Sequence, residues 1–306
     1  MGAPAGSPAH PVLAVDVGGT KLECALVDET GRIVPGSRMR AETGRDTDPD
    51  RMRRVLTETV GRTLAASSAP VRAAGVGSAG PIDHDTGGIH PVNMPLLVGF
   101  PLRDAVSALV PGVRVELGLD GQCIALAETR YGAARAARSM LGMVVSTGIG
   151  GGLVIDGRLM RGATGNAGHV GQMHSGECDA NGTMLTVEEV ASGPASVAWA
   201  RARGWLGETG EQLAAGWERG DPLAREAVLR SARAVGQLVA DVWTLTDLDV
   251  AVIGGGFSRV APEYPELVAH AAAEHAELPY ARAPRVVRAA LGDESPLVGA
   301  SALVLD

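Results

Sequence analysis

Apolar positions in this chain fall into two patterns. Compact apolar runs bounded by Gly, Pro, Asp or Asn occur at 12–15, 22–27, 71–76, 113–119 and 250–253, and 33–43 has the same strand-like character. Runs of this length with such punctuation predict strands. Elsewhere the spacing is helical. After Asp48-Pro49, a helix-opening pair, Met52, Val55, Leu56, Val60 and Leu64 recur on one face. Similar spacing predicts helices over 121–132, 187–203, 222–246, 263–276 and 296–304, while the proline-rich stretch 90–102 reads as a loop before a short helix. Strand, helix and strand in succession imply a parallel sheet with a crossover, and ligands bind beyond the strand ends of such sheets.

The run 12–28, VLAVDVGGTKLECALVD, is two strands joined by a turn centred on Gly18-Gly19. Glycines there admit a ligand close to the backbone, and Thr20 and Lys21 add donors suited to phosphate oxygens. Asp16, at the end of the first strand, can hold Mg2+ through water. Lys21 is the single lysine in the chain; every other basic side chain is arginine. An ordinary tight hairpin would explain this stretch equally well. The run 143–156, MVVSTGIGGGLVID, repeats the design with Ser-Thr-Gly and glycines 150–152. A duplicated strand-turn-strand implies two related halves facing one another across a cleft, with one polyphosphate between the turns.

Composition narrows the class. The chain has 306 residues, enough for two domains. Its net charge of −8 argues against an extended nucleic-acid surface. The three cysteines, Cys24, Cys123 and Cys178, show no CxxC pairing, which points to a reducing, cytoplasmic setting. Residues 1–11 lack the charged and apolar regions of a signal peptide and read as a loose arm. No apolar run approaches the ~20 residues that span a bilayer, so no membrane partner is expected.

Asp120 closes the strand 113–119 and is followed by Gly121 and a helix. A carboxylate so placed can cap the helix or serve as a base in a cleft, and position alone leaves both roles open.

DVGGTK, STGIGGG and the later Ile253-Gly254-Gly255-Gly256, in this order, resemble the ROK family (repressors, open reading frames and sugar kinases) of the actin-like ATPase superfamily. The likeness runs nearly the whole chain. It implies an α/β fold: a two-lobed actin-like ATPase (ribonuclease H-like) architecture with duplicated mixed sheets flanked by helices and a cleft between the lobes. The first lobe is expected over 12–119 with the helix 294–306 packing back on it, and the second over 120–293. The family's repressors carry a winged helix-turn-helix ahead of this point, and with only 11 residues before the first strand none is expected here.

By the same resemblance ATP and Mg2+ are the cofactors. Gly18, Gly19, Thr20, Lys21, Thr147, Gly148 and Gly150 would hold phosphates, and Gly254, Gly255 and Gly256 would lie by the adenosine. Asp120 would be the base for a primary hydroxyl. Gly80 and Pro81 resemble the substrate-side loop, and Asn93 best matches a further acceptor contact. Three positions depart from the family. Its Asn before the catalytic Asp is Leu119, and its Gly-Glu-x-Gly-His reads Gly168-His169-Val170-Gly171-Gln172. Glu188 is retained, aligned by its spacing to Ser192-Gly193. Each orphaned polar group costs on the order of 1–3 kcal/mol, so plain glucose is disfavoured. The family's zinc-binding cysteine run keeps only Cys178, and no zinc is expected.

The resemblance thus implies a kinase of a small polyol, with a C7 cyclitol of the valiolone or valienol type as the leading acceptor. Glucose, N-acetylhexosamine and kanosamine remain alternatives. So does a sugar-sensing regulator without catalysis. The family's dimers and tetramers suggest a homodimer.

Overall fold

The computed structural model describes residues 10–305. The arm expected over 1–11 lies outside the described residues up to residue 9. The chain divides into two compact units. One comprises residues up to Ala127, Arg161–Ala167 and Glu294 onward; the other comprises Glu128–Met160 and Gly168–Asp293.

The first unit is built on β1 (Val12–Val17), β2 (Lys21–Val27) and β3 (Met39–Glu42), followed by α1 (Pro49–Leu64), β4 (Ala73–Ser78), the hairpin of β5 (Ile82–Asp83) and β6 (Gly88–Ile89), α2 (Leu102–Ser107), β7 (Arg114–Leu119) and α3 (Asp120–Arg130). Its sheet runs β3-β2-β1-β4-β7. The β1–β2 and β2–β3 pairs are antiparallel, while β1–β4 and β4–β7 are parallel. Every residue of β1 and β4 is buried, as expected for central strands covered on both faces. Leu13, Val15, Leu22, Leu26, Leu56, Val76 and Leu117 form the core of this unit.

Helix α1 starts where its sequence predicts, because the Asp48 side chain accepts from the Arg51 amide at 2.7 Å and Pro49 occupies the first turn. The strand expected over 33–43 shrinks to β3. Ile33 makes one isolated bridge to Val27, after which Pro35-Gly36 turns the chain, with Gly36 at φ 78°. The Ser37 hydroxyl then accepts from the Leu26 amide at 3.0 Å, taking a bond a continuous strand would have made.

The second unit contains β8 (Met140–Val145), β9 (Ile149–Ile155), β10 (Arg158–Leu159), the hairpin of β11 (His174–Cys178) and β12 (Met184–Thr186), then α4 (Val187–Ala191), α5 (Gly193–Arg201), α6 (Gly210–Arg219), α7 (Pro222–Thr246), β13 (Val250–Gly254), α8 (Tyr264–His275) and β14 (Val286–Arg288). Its sheet runs β10-β9-β8-β13-β14, the same topology as the first, with an antiparallel hairpin at one side and parallel strands at the other. The duplication read from two glycine turns therefore extends to whole sheets. Helices α7 and α8 bury a separate core that includes Val228, Val235, Leu238, Val239, Tyr264 and Val268.

Three expectations shift in position. The single helix over 187–203 is two helices, because Ser192 takes an extended conformation (ψ 159°) and its hydroxyl accepts from the Ala195 amide to cap the second. The division between units falls within α3, after Ala127, where a boundary at 119/120 is expected from sequence. The start of α3 packs with the first unit: Cys123 is fully buried, and the Gln122 amide donates to the carbonyls of Gly165 and Ala167 at 3.0 Å each. The segment Arg161–Ala167 joins that unit too, for Asn166 both accepts from the Ile82 amide (2.7 Å) and donates to its carbonyl (2.8 Å).

The C-terminal helix, Ser295–Ala302, belongs to the first unit and packs on β1, β4 and β2. The fit requires glycines. A Cβ on Gly75 would run into the carbonyl of Ala300, and one on Gly299 into that of Cys123.

Candidate active site

In the first unit, Asp16 on β1 and Asp120 at the start of α3 are close enough for their charges to interact. Asp16 is 7% exposed. Burial first, and then the Asp120 charge, raise its carboxyl to about 7 against the opposing pull of Lys21. Gly77, on the neighbouring β4, leaves the space beside Asp16: a Cβ there would be 3.5 Å from Asp16 Oδ1 and 3.1 Å from Cys123 Sγ. Asp120 is half-buried, and its Oδ1 accepts from the Gly121 amide at 2.7 Å.

The first glycine turn joins β1 to β2. The Gly18 amide donates to the Lys21 carbonyl at 2.9 Å, and the Thr43 hydroxyl donates to the Gly18 carbonyl at 2.8 Å. Thr20 is exposed at its tip. Asn93 lies on Gly19, where its side chain fills the space a Cβ would need. Lys21 is ion-paired with Glu23, whose other oxygen receives Arg38 at 3.1 Å. Glu23 is 4% exposed. The lysine is therefore held at the mouth of the turn by a buried carboxylate, a partner the sequence reading missed. Gly80 and Pro81 follow β4, and Pro81 is exposed. Leu119 requires a correction. It is 2% exposed within the first core, so an apolar side chain packs inward where the family's Asn was expected to contact the acceptor.

In the second unit the turn between β8 and β9 is Ser146-Thr147-Gly148, closed by the Ser146 amide donating to the Gly148 carbonyl at 3.0 Å. Gly150, expected in this turn, is instead a strand residue of β9 opposite Val144. Gly151, next to it, serves packing. Gly151 donates to the Gly168 carbonyl at 2.9 Å, and a Cβ on Gly151 would be 2.8 Å from Val170 Cγ2. The segment bearing His169 and Gln172 thus lies directly on β9. Glu188, on α4, accepts from the Ile149 amide at 2.7 Å through Oε2 and from the Gln172 amide at 3.3 Å through Oε1. The Nε2 atom of His169 is buried with no hydrogen-bond partner.

Beside this turn is a cavity of about 670 Å³, lined by Thr147, Pro194, Val197, Gly256, Phe257 and others. The glycine run after β13 shapes one wall. Gly255 has φ 94°, and a Cβ on it would press on the Val145 backbone. The lining fits a nucleotide in composition: Thr147, Thr209 and Arg201 offer polar donors, and Pro194, Val197 and Phe257 offer apolar surface for a base. Phe257 and Pro194 are further wall residues missed from sequence. Gly193-Pro194 after Ser192 and one of only two phenylalanines in the chain were the available signals. The Asp16–Asp120 pair also fits Mg2+, which binds through one or two carboxylates and retained water. Among the described residues no group of three or more His, Cys, Asp or Glu is arranged to hold a metal. Cys178 and His174 end and begin β11, a strand paired with β12.

The sequence model described as "ROK family" matches residues 12–306. The chain belongs to the ROK family. It is 30% identical over 303 residues to the bifunctional enzyme NanE/NanK of Brucella suis, covering 98% of this chain and 54% of that protein. The chain therefore spans about half the length of that relative. It is 35% identical over 250 residues to the N-acetylmannosamine kinase of Salmonella typhimurium, covering 79% of this chain and 82% of that one. Among solved structures, a ROK family glucokinase from Streptomyces griseus in complex with glucose and AMPPNP matches with a TM-score of 0.82 and 27% identity, over 95% of this chain and 98% of that chain. This ROK chain has the family's actin-like α/β fold, with two mixed sheets flanked by helices. Among its described residues, no helix is long and apolar enough to cross a membrane.

Proposed function

We propose that this ROK chain is an ATP-dependent kinase that transfers the γ-phosphate to a primary hydroxyl of a ring polyol other than glucose. The observation that carries the kinase reading is the Asp16–Asp120 pair beside the Gly18-Gly19 turn, in a chain whose second sheet repeats the turn next to a nucleotide-sized cavity. When bound, ATP supplies the phosphoryl group and Mg2+ neutralises charge on its phosphates. Asp120 would accept the proton of the attacking hydroxyl as the new O–P bond forms and the γ-phosphoryl's bond to the departing ADP breaks. Asp16 would hold the metal's water and Lys21 and Thr20 phosphate oxygens; in the second unit, the Thr147-Gly148 turn is the group suited to phosphate beside its own cavity. Lys21 leaves Glu23 or shares its donors to do so, and Arg38 remains to balance Glu23.

The acceptor reading rests on His169 and Gln172, and on the lack of the family's Asn at the position of the inward-packed Leu119. A carboxylate only accepts hydrogen bonds, whereas a neutral imidazole can also donate. The orphaned Nε2 of His169 is suited to a group the family's Glu could not serve. A C7 cyclitol of the valiolone or valienol type is one such acceptor, supported by the altered motif alone. An N-acetylhexosamine is a second, favoured by the likeness to N-acetylmannosamine kinases and by the suitability of an imidazole N–H for an amide carbonyl.

Coupled ATP turnover tests this on glucose, N-acetylglucosamine, N-acetylmannosamine, kanosamine and 2-epi-5-epi-valiolone, with Asp120→Asn as control. Turnover on N-acetylmannosamine or the cyclitol, with glucose poor, supports the proposal. Efficient turnover on glucose would refute the acceptor reading. Ligand binding without any ATP consumption would replace the kinase with a sugar-sensing regulator.

A further inference from the structure

Resting on the kinase reading, we infer that Glu188 is a positioning residue that braces the nucleotide turn and ties it to the segment carrying His169 and Gln172. The geometry is specific to one end of α4. Glu188 Oε2 receives the Ile149 amide at 2.7 Å, immediately after the Ser146-Thr147-Gly148 turn. Gly148 makes room for that carboxylate, since a Cβ on Gly148 would be 2.6 Å from Glu188 Oε2. Five residues later the same junction binds the turn again: the Gly193 amide donates to the Ser146 carbonyl at 2.9 Å. The Glu188-to-Gly193 spacing therefore places a carboxylate and a backbone N–H on opposite ends of one turn, and the bond from the Ser192 amide to the Glu188 carbonyl (3.2 Å) holds them together.

The other oxygen of Glu188 faces the acceptor segment. It receives Gln172 Nε2 at 3.3 Å. That segment also rests on the strand leaving the turn, for Gly171 has no space for a Cβ against the Ile149 carbonyl. A change at Gln172 is thus transmitted to the nucleotide turn through one carboxylate. Gln172 replaces the family's histidine, so this chain makes the link with an amide.

An acceptor-only role for Glu188 makes a different prediction from a bracing role, and two measurements separate them. The first is calorimetric binding of AMPPNP with Mg2+ and no acceptor, to wild type, Glu188→Ala and Glu188→Gln. Bracing predicts that Glu188→Ala binds about tenfold or more weakly, the scale of one lost hydrogen bond to a charged group. Glu188→Gln stays within about threefold, because its carbonyl oxygen still accepts from Ile149 and its NH2 can donate to a reoriented Gln172. Equal binding by all three proteins overturns the inference, as does equal loss in both variants. The second is amide exchange at Ile149 without nucleotide, which bracing predicts to quicken in Glu188→Ala alone. If wild type fails to bind AMPPNP, the kinase reading falls. Exchange at Ile149 then decides the brace separately, and unchanged exchange in Glu188→Ala overturns it.

Discussion

Asp120 and Asp16 share a small volume but face different demands. Asp120 must be ionised to take a proton, whereas Asp16 is held up to about 7 by burial and by the Asp120 charge. Asp120→Asn keeps the shape and removes the base. Turnover is expected to fall by ~10²–10⁴ with AMPPNP affinity nearly kept; an unchanged kcat would remove Asp120 from the mechanism. For Asp16 the raised value has a stability consequence. The native state retains a proton that the unfolded chain has lost above pH 3.8, so its contribution favours folding at low pH and is lost as pH rises towards about 7. In EDTA, the wild-type melting temperature should therefore fall relative to Asp16→Asn between pH 5 and pH 7, values chosen inside that window. Parallel curves for the two proteins would contradict the shift. Asp16, Asp120 and the glycine turns were legible because they are local signals, a few residues wide. Glu23 with Arg38, and Asn166 with Ile82, were not: those pairings join positions 15 and 84 apart, and only the folded chain brings them together.

At the scale of elements, ends with chemical punctuation were legible. Helix α7 occupies 222–246 as its spacing predicts, because Asp221 caps it, Pro222 opens it and Asp247 closes it in a left-handed conformation. The short strands β10, β11, β12 and β14 escaped notice. Pieces of two to five residues hold their conformation through partners elsewhere, and their own sequence carries little period. Glycines 150–152 misled for a related reason. They look like a phosphate loop but are strand residues, and at Gly151 the missing side chain admits the 168–171 segment. Gly168 has φ 121° and faces the Gly151 carbonyl, so Gly168→Ala meets both backbone strain and a clash. It should cost about 1–3 kcal/mol in urea denaturation and weaken acceptor binding as His169 shifts. A variant as stable as wild type would show that the segment can lift from β9 without cost.

For the molecule as a whole, two sheets of one topology and two separate cores account for the length of the chain, and the helix Ser295–Ala302 shows how the first core is completed from the far end. Leu297, Val298 and Leu303 are at most 1% exposed. At about 1.5–3 kcal/mol for each buried aliphatic side chain, removing them takes away an amount comparable to the whole stability of an ordinary domain. The glycine contacts at Gly75 and Gly299 add a close backbone fit of this helix to β4 and α3, which is lost with it. Truncation before Ser295 should therefore act on one unit first. Amide exchange is expected to lose protection in β1 and β4 while α7 and α8, whose core lies in the other unit, retain theirs. Even loss across both sets of elements would mean that the two cores fold as a single cooperative structure.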